Sequence, residues 1–188
     1  TADAAVLGFS LHVSLANLGL GGNWISIVPV IWVAPLALAV GALRYRPLEH
    51  RADTWYGSTY WTGPDWTRVG RDWQHSGENT ASVRRFTAPR DGRVTVSGRA
   101  AKAHVDPTTD GVRLAIRHGR REVWSAEIDG GDAAGVEANA ALDVRKGDAI
   151  RFVVSKRGLI FCDTTRWDPS IAYEDGETFR ASAAFSSV

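Results

Sequence analysis

The fold class is decided by the stretch Val112-Arg-Leu-Ala-Ile-Arg-His-Gly-Arg-Arg-Glu-Val-Trp-Ser-Ala-Glu-Ile-Asp-Gly-Gly131. Apolar side chains recur at every second position in each of its halves: Val112, Leu114 and Ile116, then Trp124, Ala126 and Ile128. A period of two residues is typical of a strand with one buried face. Between the halves, His118-Gly119 supplies a turn, because glycine accepts a positive φ. The stretch therefore predicts two short strands joined by a turn.

The same alternation continues on both sides of this stretch, at Val94 and Val96 and at Ile150, Phe152 and Val154. Turn signals rich in Gly, Pro and Asp separate the runs, at 89–92, 106–111, 129–131 and 146–148. No long helical period accompanies them. Short strands separated by such turns are typical of a sandwich or a barrel. We therefore predict an all-β fold, an antiparallel two-sheet β-sandwich over residues 44–188.

The first 43 residues differ from the rest. They are apolar, with Asp3 as their only formal charge, and residues 25–43 contain no ionisable side chain. One interpretation is a membrane span, since the run approaches the roughly 20 residues that cross a bilayer. The other is a set of buried strands from a preceding or packed domain, because Pro29 and Pro35 interrupt the run. We favour the strands, so a membrane partner is not expected.

Composition excludes several classes of function. Lys and Arg number 22 against 21 Asp and Glu, so the chain lacks the cationic field that drives binding to nucleic acids. The single Cys162 rules out a disulfide framework or a cysteine-rich zinc site. The five histidines show no H-E-x-x-H spacing, and no G-x-S-x-G elbow is present. We therefore predict no catalytic residues and a chain that does not itself catalyse a reaction.

An ordered set of fragments resembles a known family. These fragments are Trp66…Gly70-Arg-Asp-Trp-Gln-His75, Val83-Arg-Arg-Phe-Thr-Ala-Pro-Arg-Asp-Gly-Arg-Val-Thr-Val-Ser-Gly98, Asp110-Gly-Val, Lys146-Gly-Asp-Ala-Ile-Arg-Phe-Val-Val154 and Cys162-Asp-Thr-Thr-Arg-Trp-Asp-Pro-Ser-Ile-Ala-Tyr173. Together they resemble the carbohydrate-binding-type jelly-roll modules that are appended to bacterial extracellular polysaccharide lyases and glycoside hydrolases. The resemblance implies a jelly-roll-like sandwich, polysaccharide binding, neighbouring domains in the same parent chain, and a structural calcium ion.

Aromatic side chains crowd one segment, residues 55–75, which we call the aromatic segment. An indole ring offers apolar area and a negative π face to the C–H bonds of a sugar, and polar neighbours bind its hydroxyls. The alternative is that these rings fill the core, since Trp is highly buried on average. The candidate carbohydrate-binding residues are Trp55, Tyr60, Trp61, Trp66, Asp72, Trp73 and His75.

Three carboxylates, Asp110, Asp163 and Asp168, lie in turns of the kind that supply calcium ligands. Calcium takes six to eight oxygen atoms from carboxylates, carbonyls and water. The alternative is that Asp163 and Asp168 hydrogen-bond to the backbone of their own turns. We predict a calcium site at these residues and keep the alternative open.

The functional prediction is a non-catalytic accessory module that binds polysaccharide for a bacterial carbohydrate-active enzyme, outside the cell or at its surface. One alternative is a structural spacer or interdomain packing module of a multidomain glycan-degrading enzyme. Another is a fragment of the catalytic lyase or hydrolase itself.

Overall fold

The computed structural model describes residues 46–185. The predictions for the apolar segment 1–43 lie outside this range, including both the buried strands and the membrane span. From Pro47 onward the described residues belong to one compact unit. Within this described part, no helix combines the length and the apolarity that a membrane crossing requires.

Strands account for most of the described chain. In chain order they are β1 (Glu49–Trp55), β2 (Ser58–Thr62), β3 (Arg68–Gly70), β4 (Trp73–His75), β5 (Ser82–Thr87), β6 (Gly92–Lys102), β7 (Val112–His118), β8 (Arg121–Ile128), β9 (Val136–Val144), β10 (Ala149–Lys156), β11 (Thr165–Trp167), β12 (Ser170–Tyr173) and β13 (Thr178–Arg180). A short 3₁₀ turn, Pro64–Trp66, separates β2 from β3.

The strands form two antiparallel sheets, which confirms the predicted β-sandwich. The smaller sheet has the order β5-β10-β7-β8. The larger has the order β1-β2-β3-β4-β11-β6-β12-β13, and β9 pairs with the second edge of β6. Strand β6 is long enough to pair with β12 near its start and with β11 near its end. The short strands of the aromatic segment are therefore tied to the centre of the sheet through β11.

The core lies between the two sheets. The alternating residues quoted above point into it: Val94, Val96, Val112, Leu114, Ile116, Ile128, Ile150 and Val154 have no exposed side-chain surface, and Phe152 is 3% exposed. Trp124 is half-buried and contacts Trp167 across the sheets, with ring centroids 6.0 Å apart. Burial of apolar area at roughly 25 cal/mol per Å² makes this layer the main source of stability.

The aromatic segment contributes strands to the larger sheet. Most of it is strand: β2, β3 and β4 pair in sequence, and Trp61 lies opposite Val69. Strand β4 contains three residues and all three are buried. A strand of this length is too short to show an alternating pattern, so its sequence gave no strand signal.

Candidate functional site

Trp73 is the structural centre of the aromatic segment. Its side chain is fully buried, and its indole N–H donates to Ser58 Oγ at 3.1 Å. The ring lies directly on the backbone of Gly70, where an added Cβ would come within 2.1 Å of the indole. Only glycine leaves room for this contact. Trp73 therefore anchors β3 and β4 and is not available to a ligand.

Two other candidate residues are also buried. Tyr60 is 6% exposed, and its hydroxyl donates to Asp53 Oδ2 at 2.8 Å. His75 is equally buried, and burial lowers the pKa of its imidazole, so the ring is neutral near pH 7. Trp55 is half-buried and packs edge-on against Trp73, with ring centroids 5.2 Å apart. These rings pack against one another as a small cluster on strands β1–β4 and do not form an open surface.

Trp66 differs from the other tryptophans of the segment, because 58% of its surface is exposed. It ends the 3₁₀ turn, in which Asp65 has a φ of 56° and Trp66 a φ of 73°. Residues other than glycine rarely adopt this left-handed conformation, and two in succession are rarer still. The turn is held by a hydrogen bond of 2.8 Å from Gly63 N to Thr67 O. The turn leaves the indole largely exposed to solvent.

Arg68 supports the exposed indole from one side. Its guanidinium carbon lies 4.1 Å from the centre of the Trp66 ring and 4.4 Å from the centre of the Trp55 ring. A cation over an indole face is attracted by the ring quadrupole, and a planar guanidinium also stacks on it. The contact links the exposed Trp66 to the buried rings and fixes the orientation of its indole. The remaining surface of Trp66 faces solvent.

Polar groups border this turn. Asn79 Nδ2 donates to Asp65 Oδ2 at 3.5 Å, and the backbone N–H of Glu78 donates to Asp65 O at 2.9 Å. Asp65 precedes Trp66 in the chain, so its carboxylate and the amide of Asn79 belong to the same turn region as the exposed indole. Ligand sites combine apolar rings with a small number of polar groups.

Trp61 faces a different region, a cleft of about 720 Å³ with an apolar lining that includes Phe86 and Phe179. Arg85 and Arg180 also line this cleft. Asp72, the last of the carbohydrate candidates, lies elsewhere and accepts a hydrogen bond of 2.7 Å from Arg166. The structure thus distributes the seven candidates over a buried cluster, a cleft, a surface ion pair and one exposed ring.

Two of the predicted calcium ligands, Asp110 and Asp163, lie in two loops, residues 103–111 and 157–164, which we call the loop pair. Asp163 is completely buried, and its Oδ1 lies 3.6 Å from Nζ of the equally buried Lys102. Ser76 donates to the other carboxylate oxygen at 2.9 Å. Burial raises the pKa of Asp163 to about 6 and lowers the pKa of Lys102. A lysine thus occupies the place beside Asp163 where a calcium ion would bind.

The other two carboxylates are also engaged. Asp110 accepts hydrogen bonds from the backbone N–H groups of Gly158 and Leu159. Burial acts to raise the pKa of Asp110, but these hydrogen bonds outweigh it and lower the pKa. Asp168 lies outside the loop pair, where it forms a hydrogen-bonded ion pair of 2.8 Å with Arg180.

The three carboxylates do not converge as a group within residues 46–185. The trio therefore does not fit a calcium ion, because each carboxylate is already bound to protein donors. The structural calcium ion itself stays a prediction.

The same loops hold a cluster that the sequence analysis missed. His104, Asp106 and Cys162 each offer one ligand atom, and these atoms lie within 4.8 Å of one another. His104 and Cys162 are 58 positions apart in the chain, so no short-range motif links them. Burial, reinforced by the charge of Asp106, raises the pKa of the Cys162 thiol. Only the folded arrangement of the two loops reveals the cluster.

Comparisons with known proteins give structural similarity and no sequence match. No model of a protein family matches the chain, and no curated protein matches it either. One similar solved structure is the family 51 carbohydrate-binding module of a Clostridium perfringens family 95 glycoside hydrolase, in complex with methyl-galactose. It is 12% identical, with a TM-score of 0.35, and the match covers 59% of this chain and 77% of that chain.

Two further structures are family 6 carbohydrate-binding modules. The C-terminal module of LamC, a marine laminarinase from Zobellia galactanivorans, is 14% identical with a TM-score of 0.33, covering 67% of this chain and 88% of that chain. A module of Cellvibrio mixtus lichenase 5A, in complex with cellotriose, is 15% identical with a TM-score of 0.29, covering 70% and 86%. These modules are of the class that the sequence resembles. At such TM-scores the similarity carries no argument about function.

Proposed function

We propose that residues 46–185 form a non-catalytic module that binds polysaccharide through the turn carrying Trp66. The observation that carries this proposal is the exposed indole of Trp66, presented by two successive left-handed residues and stacked on Arg68. An exposed indole offers apolar area and a π face to a ligand, and Trp and Arg are the residue types that contribute most to binding at interfaces. A sugar ring would place its C–H face against the free surface of the indole.

Polar groups of the same turn region give this surface a second element of recognition. Asp65, the residue before Trp66, offers a carboxylate, and Asn79, which donates to it, offers an amide. Hydroxyl groups of a sugar donate to the first and both donate to and accept from the second. A single ring with a narrow polar border favours one or two sugar units over a long oligosaccharide. The affinity of one such contact is accordingly modest.

Modest affinity suits an accessory role. A module joined to a catalytic domain raises the local concentration of substrate, and a weak interaction is sufficient when binding is effectively intramolecular. We propose that the parent protein is a bacterial polysaccharide lyase or glycoside hydrolase that acts outside the cell or at its surface. This finer assignment rests on the sequence resemblance.

A second candidate function is interdomain packing, which a specific observation favours. Three large apolar side chains of the loop pair are exposed: Val105, Leu159 and Phe161. Exposed apolar groups at one end of a domain are suited to contact with another protein surface. A packing module would bury these side chains against its neighbour and bind no glycan.

Binding to a panel of neutral and acidic polysaccharides tests the proposal, using the 188-residue chain with calcium and with a chelator. We expect Trp66→Ala to weaken binding by about tenfold or more, equivalent to about 1.4 kcal/mol. Phe161→Ala is the matched control, because it removes an equally exposed aromatic ring from the loop pair. Trp61→Ala probes the cleft separately.

Each outcome has a distinct meaning. Loss of binding in the Trp66 variant alone supports the turn as the contact surface. Loss in the Trp61 variant alone moves the site to the cleft and overturns the assignment to Trp66. Absence of binding to every glycan under both conditions contradicts the proposed function and favours the packing module. A thermal unfolding curve for each variant establishes that its fold is intact.

A further inference from the structure

Three side chains of different chemistry meet on the loop pair. They are the imidazole of His104, the carboxylate of Asp106 and the thiol of Cys162, whose ligand atoms lie within 4.8 Å of one another. We propose that these three residues, the loop-pair triad, bind one zinc ion, with solvent completing its coordination. The site is separate from the turn that carries Trp66 and independent of glycan binding.

The distances are close to those of a metal site. With zinc–nitrogen and zinc–sulfur bonds of about 2.0–2.3 Å, ligand atoms around a tetrahedral ion are roughly 3.3–3.8 Å apart. The triad therefore needs to contract by about 1.5 Å at most. The side chain of His104 is exposed, so its rotamer is free to adjust. Both other residues are partly buried and approach the same point from different loops.

Asp106 is prepared for this role by its hydrogen bonds. Its Oδ1 accepts from the backbone N–H of Thr108 at 2.9 Å and from the Thr108 hydroxyl at 2.7 Å. These bonds fix the carboxylate plane. They leave Oδ2 without a hydrogen-bond donor among the described residues, so one oxygen remains for a metal. A ligand held in this way loses little conformational entropy on binding.

The two loops are fixed to each other before any ion binds. Ala103 N donates to Thr164 O at 2.8 Å, next to His104 in one loop and close to Cys162 in the other. At the other end of the loop pair, Asp110 accepts from the backbone of the second loop. These links hold the triad in place on both sides. Rigid support of the ligands is what a metal site requires.

The donor set selects the kind of metal. Thiolate and imidazole are ligands of zinc and similar transition metals, whereas calcium and magnesium prefer sites composed of oxygen atoms. Three protein ligands with an exposed fourth position match zinc sites in which a water molecule completes the tetrahedron. The charges that act on the Cys162 thiol are Asp106 and Asp163 against Lys102. Their sum is negative, which favours a divalent cation.

Cobalt substitution gives the most specific test, because a thiolate bound to Co²⁺ produces a charge-transfer absorption band that histidine and carboxylate ligands do not. Titration of the 188-residue chain with CoCl₂ should give this band with one equivalent bound, and ZnCl₂ should abolish it. Calorimetry with ZnCl₂ gives the affinity, and CaCl₂ serves as the comparison metal. We expect Cys162→Ser to eliminate the band and His104→Ala to weaken zinc binding by more than about tenfold.

His118→Ala is the matched control. His118 Nε2 lies 2.9 Å from Asp148 Oδ2, so this pair offers an imidazole and a carboxylate without a thiol. The control should bind zinc as tightly as the parent chain does. A second measurement uses the parent chain alone: saturating zinc should slow alkylation of Cys162 by iodoacetamide several-fold. This readout stays valid if a variant fails to fold.

Three results would overturn the proposal. One is the absence of a thiolate-to-cobalt band at saturating CoCl₂. Another is an alkylation rate of Cys162 that zinc leaves unchanged. The third is zinc affinity that falls in His118→Ala as much as in His104→Ala, which indicates adventitious binding to surface histidines.

Discussion

In the sequence, the aromatic segment and the loop pair are both candidate binding regions, because each concentrates one kind of side chain that suits a ligand. Folding treats them in opposite ways. In the aromatic segment most of the rings turn inward, and one exposed indole remains at Trp66. In the loop pair a carboxylate, Asp163, turns inward to meet Lys102, while apolar side chains such as Phe161 remain outside. In each region, side chains that we expected to bind a ligand are instead buried in the folded chain.

A local concentration of one residue type does not by itself indicate a binding site. A cluster of tryptophans is as useful to a core as to a sugar, and burial wins wherever a strand offers an inward position. A cluster of carboxylates has no such use, so a buried one needs a counter-charge. Trp73 and Asp163 are therefore structural residues in the two regions. Replacing one residue of each kind tests this distinction.

The largest effect is expected on replacing a buried ring in the aromatic segment. Trp73→Ala removes a fully buried indole that packs on Gly70, and we expect it to lower the free energy of unfolding by about 3–5 kcal/mol. Trp66→Ala should change it by less than about 0.5 kcal/mol, since the ring is exposed. Urea unfolding followed by circular dichroism measures both. Similar losses in the two variants would contradict the division of the segment into core and surface.

An effect of similar size is expected in the loop pair on separating its buried charges. Lys102→Ala leaves Asp163 buried without its counter-charge, which should cost about 3–5 kcal/mol of unfolding free energy. The double variant Lys102→Met/Asp163→Leu should lose less unfolding free energy than the sum of the losses in Lys102→Met and Asp163→Leu made singly. A double-mutant cycle in urea provides the test. Additive single effects would show that the two side chains do not interact.

The pH dependence of stability isolates Asp163 within that pair. Its pKa in the folded chain is about 6, above the ordinary value of 3.8, so the folded chain binds this proton more tightly than the unfolded chain does. The contribution of Asp163 to stability therefore falls as the pH rises from about 4 to about 6, by up to about 3 kcal/mol, and is constant above about 7.

The measurement for this prediction is the difference in unfolding free energy between the parent chain and Asp163→Asn across that range. Taking the difference cancels the other carboxylates, several of which have lowered pKa values and stabilise the chain as the pH rises. We expect the unfolding free energy of the parent chain to fall relative to that of Asp163→Asn as the pH increases. A difference that is flat, or that favours the parent chain at higher pH, would refute the assignment.

A smaller effect than at Trp73, Lys102 or Asp163 is expected at Arg68, which contacts both the half-buried Trp55 and the exposed Trp66. Arg68→Lys keeps the charge and loses the planar stack on Trp66 and Trp55. We expect a loss of about 0.5–1 kcal/mol in unfolding free energy. Glycan affinity should fall less than in Trp66→Ala, because the indole is still present but less well oriented. An affinity loss equal to that of Trp66→Ala would point to direct contact of Arg68 with the glycan.

The sandwich was predictable because its long strands show alternation. The alternation that includes Val94, Leu114 and Ile150 predicts strands with one buried face, since side chains of a strand point alternately to its two sides. Strand β4 has only three residues, so the burial of Trp73 follows from its contact with Gly70 and not from a periodic pattern.

The site was less predictable, for two physical reasons. The exposure of Trp66 depends on two left-handed residues, Asp65 and Trp66. Neither residue type predicts a positive φ as strongly as glycine does. Lys102 and Asp163 meet only because β6 and β11 become neighbours, although the residues are far apart in the chain. Residue types identified the candidate chemistry, whereas the packing of the sheets selects which side chains remain available.

The most direct test of the account asks which of the two regions a glycan covers. Hydroxyl-radical footprinting with mass spectrometry labels exposed side chains, and both Trp66 and Phe161 are well exposed in the free chain. With a polysaccharide that the chain binds, we expect oxidation of Trp66 to fall several-fold while that of Phe161 stays unchanged. Protection of Phe161 with full oxidation of Trp66 would place the glycan on the loop pair and contradict the central claim.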